Sequence, residues 1–150
     1  MTPFADLLRY LATAALGIFL GSQLTEGMVL LPWWRALAPE QFLLWYADNG
    51  QRLLGYFGPL TTATTLLAVA AASATGWAGG AGLAGESLAA ILMIVVVASF
   101  FLYFERTNRG FATGTIAPGA VAAELERWST WHWARTALAG FAFAASLVSA

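Results

Sequence analysis

Hydrophobic positions along the chain gather into four long stretches separated by three connections of different character. The first stretch runs from about Tyr10 to Leu31 and is interrupted only by Glu26. The second begins at Leu53 and stays uncharged through Gly85, with its helix expected to end near Ala74. The third, Ser87 to Phe104, is dense in Ile, Val and Phe, and the fourth runs from about Ser129 to the C-terminus with His132 and Arg135 in its first two turns. Each approaches the roughly 20 residues that carry a helix across about 30 Å of hydrocarbon. Backbone groups there must be satisfied within the segment, which selects helices. Helices are therefore predicted over about 5–31, 53–74, 86–105 and 120–149, in one domain covering 1–150. The expected fold class is all-α, a transmembrane four-helix bundle with an interfacial helix between helices 1 and 2.

The connections refine this picture. Residues 32–52 hold Pro32, Trp33, Trp34, Arg35 and Pro39, then Phe42, Leu43, Trp45 and Tyr46 beside charges. Aromatics flanked by charge suit a helix lying at a membrane surface. The second connection, GWAGGAGLAGE, reads as a flexible loop. The third, ERTNRGFATGTIAPGAVAAELER, is the most polar part of the chain, and from about Pro118 its helix formers can extend the fourth helix outward. At the N-terminus, Asp6 and Arg9 precede the apolar run and no small-residue cleavage site closes a short core, so a retained helix is expected rather than a cleaved signal.

Composition strengthens the membrane reading. Hydrophobic residues make up 59% of the chain and charged residues 10%, with a mean hydropathy of +0.69. A soluble domain carries roughly 25% charged residues, and without them it would expose large apolar patches to water. The seven basic residues are all arginines and are widely spread, so no nucleic-acid partner is expected. With no cysteine and one histidine, disulfides, thiolate sites, Fe–S clusters, His-rich metal sites and bis-His haem are excluded within one chain. No metal and no cofactor are expected.

Arginine placement sets an orientation. Arg35, Arg52, Arg106, Arg109 and Arg127 fall in or beside the first and third connections, whereas the opposite side holds Arg9 and little else. The positive-inside rule turns the first and third connections to the cytoplasm and both termini outward, as expected for a multi-pass protein of a bacterial inner membrane. Thr13, Gly17, Gly21 and Thr25 recur every four residues and make one face of the first helix small, and Gly140 and Ala144 do the same on the fourth.

Ionisable groups at membrane depth need partners or water. Glu26, late in the first helix, and His132 and Arg135, early in the fourth, all fall toward the cytoplasmic end, where the loop with Asn108 and Arg109 also lies. Trp128, His132 and Arg135 share one helix face at spacings of four and three. Ser22, Gln23 and Glu26 form a matching polar stripe. Two such stripes at one depth suggest facing walls of a cavity. A structural reading stands beside this one: Glu26 pairing with Arg135, His132 as an interfacial residue, and Asn108 and Arg109 capping a loop.

The stretch GSQLTEGMVLLPWWRALAPEQFLLWY, the following YFGPLT, and Asn108 followed by RWSTWHWART together resemble the anthrone oxygenase-like family of small four-helix membrane proteins. The positions that carry the likeness are Asn108, Trp128, His132 and Arg135. The resemblance implies oxidation of an anthrone or a related lipophilic aromatic or quinone-like molecule by O2 without a cofactor. His132 would then be the base, with Glu26 as its orienting group or the alternative base. Arg135 or Asn108 would stabilise the developing oxyanion, and Trp128, Trp131 and Arg109 are the expected substrate-binding residues. The expected partners are the lipid bilayer, such a substrate and O2, with a homo-oligomer or a larger membrane complex left open. Two other readings remain: a non-catalytic membrane subunit or lipid-binding protein that docks a larger complex, and, ranked last, a transporter, which four short helices could form only by oligomerising.

Overall fold

Helix-forming sequence runs almost without interruption through the computed structural model, which describes residues 3–149. Helix α1 spans Pro3–Thr25 and passes through a π-helical turn, Glu26–Leu30, into a short α2, Leu31–Ala36. After two extended residues, α3 runs from Pro39 to Trp77. Helix α4, Leu83–Ser99, passes through a second π-helical turn, Phe100–Phe104, into α5, Glu105–Thr113. A single 3-10 turn, Pro118–Ala120, leads into α6, Val121–Ser149. No strand is present among the described residues.

Three helical spans are long and apolar enough to cross a membrane: Pro3–Ala36, Pro39–Trp77 and Leu83–Thr113. Helix α6 has the length but carries Glu124, Glu126, Arg127, His132 and Arg135 in its first half. Helix α1 packs on α3 and α6, and α4 packs on the same two from the other side. Both short connections, after α2 and after α5, lie at one end of the helices, and the 78–82 connection lies at the other.

The expected break between an interfacial helix and the second span is absent. Pro39 stands at the first turn of α3, where a missing N–H costs nothing, and the Ala38 N–H is taken by Gln41 Oε1 at 3.4 Å. From there the helix continues through Asn49, Gly50 and Pro59 without interruption. Phe42 and Tyr46 are buried in protein, with Leu31, Trp34, Phe104, Phe111, Val121, Leu125 and Trp128 around them. The third connection is also more helical than its polarity suggests, because α5 carries the third span onward to Thr113 before Gly114, at φ +67°, ends it.

The two halves share an order of elements that their sequences conceal. Each consists of a helix, a π turn, a short continuation and a long returning helix entered through a proline, Pro39 or Pro118. Between the ends lies an apolar core of Leu16, Phe19, Ala89, Met93, Val96, Ala139 and Ala142. At the far end, Arg9 Nε meets Glu86 Oε1 at 3.4 Å, joining α1 to α4, and both side chains are buried. Gly82, at φ +92°, allows the chain to turn into α4 there, where a Cβ would stand 2.7 Å from the Ser149 carbonyl.

Candidate functional site

The connection end holds a buried polar cluster built from α1, α5 and α6. Glu26 opens the first π turn and is 3% exposed. Its Oε2 lies 3.0 Å from Arg135 Nη2 and 3.4 Å from His132 Nδ1. The i, i+3 spacing on α6 brings His132 and Arg135 to the same oxygen, one turn apart. The second π turn also contributes: the Arg135 guanidinium lies 4.1 Å above the ring of Phe104, the last residue of that turn. π turns are often found at functional sites, and here each delivers one residue to the cluster.

His132 is fully buried. Its Nε2 is 3.0 Å from the Gln23 carbonyl oxygen, which can only accept, so Nε2 carries the hydrogen. Nδ1 then presents a lone pair in the neutral ring, 3.4 Å from Arg135 Nη2. The Trp128 indole stacks on one face of the imidazole, with centroids 5.0 Å apart, and Trp133 meets it edge-on. Gly27 closes the remaining side. A Cβ at that position would stand 2.8 Å from both His132 Nε2 and the Trp133 ring. Asn108, on α5, is tied in through the Trp128 Nε1–H, which it accepts on Oδ1 at 3.0 Å.

The structure therefore brings Glu26, Asn108, Trp128, His132 and Arg135 together. Two expected substrate-binding residues stand apart. Arg109 is exposed and pairs with Glu105 at 2.8 Å, one turn back on its own helix. Trp131 lies flat against Tyr103, with centroids 5.2 Å apart and planes inclined by 5°, on the outer face of α6. The His132 ring itself is packed among Trp128, Trp133, Gly27 and the Gln23 carbonyl.

The open space lies on the other side of Glu26. A groove of about 560 Å³ runs between α1 and α3, and Glu26 is the one member of the cluster that borders it. On α1 its wall is Ile18, Gly21, Ser22 and Thr25. On α3 it is Trp45, Asn49, Arg52, Leu53, Tyr56 and Phe57, at the three-and-four spacing of one helix face. The groove residues Arg52 and Tyr56 were not anticipated as site residues. The signal was present in the i, i+4 pair itself, but the expected helix start at residue 53 divided the face. Among the described residues, no group of three or more His, Cys, Asp or Glu side chains could hold a metal ion. No protein-family model matches this chain, and no curated protein or solved structure matches it either.

Proposed function

We propose that the chain is a four-helix transmembrane protein that takes a flat lipophilic molecule into the groove between α1 and α3. There Glu26 is the proton acceptor for its oxidation by O2. One observation carries this reading: the Glu26 carboxylate is held on one oxygen by Arg135 while the residue borders the groove. Membrane insertion favours the same entry route, since a groove between neighbouring helices is reached sideways from lipid. The orientation that fits the arginines places the connection end in the cytoplasm, with both termini outside.

For an anthrone, the reaction class implied by the sequence resemblance, the balance is anthrone plus O2 giving anthraquinone plus water. Glu26 removes one proton from the CH2 group. The resulting carbanion reduces O2 and bonds it at the same carbon, and the returned proton makes a hydroperoxide. Loss of the carbon's second hydrogen with the terminal hydroxyl, as water, breaks the O–O bond and leaves the new carbonyl. Arg135 is a positioning residue in this scheme, fixing the carboxylate in a water-poor setting where such interactions strengthen, and His132 Nδ1 accepts from the same guanidinium and steadies it.

An oxygen electrode tests the proposal with the protein in lipid nanodiscs and anthrone as substrate. The wild type is expected to consume one O2 per anthrone above the spontaneous rate, and Glu26→Gln to fall to that background. A wild-type rate equal to background, or full activity in Glu26→Gln, overturns the oxidation. The second reading, a lipid-binding or docking subunit without turnover, is favoured by the enclosure of His132. It predicts ligand binding with no O2 consumption.

A further inference from the structure

The groove's hydrogen-bonding groups are mostly committed, and the pattern of what remains free specifies a ligand. Ser22 donates to the Ile18 carbonyl at 3.0 Å, so the Tyr56 hydroxyl, 2.9 Å away, donates its own proton to Ser22 Oγ. Thr25 donates to the Gly21 carbonyl at 2.9 Å. Asn49 gives one amide hydrogen to the Trp45 carbonyl at 2.9 Å, and its Oδ1 accepts from Arg52 Nη1 at 3.4 Å. Every hydroxyl hydrogen lining the groove is therefore used within the protein.

Besides the second Asn49 amide hydrogen, two uncommitted charged groups of opposite sign are left. Arg52 has five N–H donors, only one of which is engaged, and it enters no ion pair among the described residues. Glu26 is engaged through Oε2, while Oε1 accepts no hydrogen bond among the described residues. The same groove is lined by apolar Leu30, Leu53 and Phe57 and the Trp45 ring.

We infer that the groove selects a flat, mostly apolar molecule with an acceptor oxygen, carbonyl or anionic, taken by Arg52, and a proton-donating group taken by Glu26. Arg52 is thus a specificity-determining residue. This rests on the groove being the ligand site, and it stands or falls independently of turnover. Arg52 is exposed beside the groove with four of its five donors unengaged among the described residues, so an oxygen-bearing ligand gains a charge-assisted contact there that a hydrocarbon ligand lacks.

The test is a pair of fluorescent probes, anthracene-2-carboxylate and 2-methylanthracene, titrated against the protein in phosphatidylcholine nanodiscs. The carboxylate is expected to bind more tightly to the wild type. Arg52→Gln should weaken the carboxylate about tenfold or more, as one lost charge-assisted contact requires, and leave 2-methylanthracene unchanged, with Arg52→Lys intermediate. Equal weakening of both probes, or of neither, overturns the role of Arg52. If neither probe binds even to the wild type, the groove itself fails as the ligand site. Binding without O2 consumption removes the oxidation and leaves the ligand class intact.

Discussion

The Trp128 indole lies flat on the His132 imidazole, with ring centroids 5.0 Å apart and planes inclined by 8°. Together with the Gln23 carbonyl on Nε2 and Trp133 at the ring edge, this stack gives His132 a fixed tautomer and buries its ring in protein. Its Nδ1 lone pair accepts from Arg135 Nη2 at 3.4 Å, and the same nitrogen of Arg135 holds Glu26.

His132 is therefore expected to act by positioning. His132→Asn should lower kcat for anthrone oxidation about tenfold, the size of one lost hydrogen bond to a charged group, with KM unchanged because the groove does not touch the ring. A purely structural role would lower stability but leave kcat per folded molecule at the wild-type value.

The Glu26–Arg135 pair should show the asymmetry of buried charges. Side-chain exposures of 4% and 12% leave little solvent to replace a lost partner. Arg135→Met alone should cost about 3–5 kcal/mol by leaving the carboxylate uncompensated. The double variant Glu26→Leu with Arg135→Met should recover most of that loss. Unfolding titrations in mixed micelles measure the coupling, and strictly additive losses would contradict a direct ion pair.

Much of this arrangement was legible in the sequence. The spacing of Trp128, His132 and Arg135 placed them on one face of the fourth helix, and the late position of Glu26 in the first helix set it at the same depth. Asn108 could be placed at that end, though not its bond to Trp128. Other features left no local mark. No residue type announces the π turns at Glu26–Leu30 and Phe100–Phe104. Phe42 and Tyr46 have the composition of a membrane-surface helix, and only the tertiary contacts with Trp34 and Phe111 show them to be core. The Arg9–Glu86 pair joins residues 77 positions apart, both at the edges of apolar runs, where a charge is ordinary.

Gly27 and Gly21 should respond oppositely to the same change. A methyl group at Gly27 meets His132 and Trp133 at 2.8 Å, so Gly27→Ala should cost about 1–3 kcal/mol through overpacking. At Gly21 nothing lies within 4 Å, and Gly21→Ala should gain up to about 1 kcal/mol from helix propensity. Parallel thermal unfolding of the two variants checks this, and a stabilising Gly27→Ala would contradict the close approach of α1 to α6.

Gly21→Leu tests the central claim most directly, because its side chain would enter the groove from a position with no protein neighbour within 4 Å. The measurement is the affinity of anthracene-2-carboxylate for this variant and for the wild type, in the same nanodiscs and with folding verified by circular dichroism. The account predicts a folded variant whose probe affinity falls about tenfold or more, as loss of apolar contact over part of a flat ligand requires. A folded Gly21→Leu that binds the probe as well as the wild type would contradict the groove between α1 and α3 as the site.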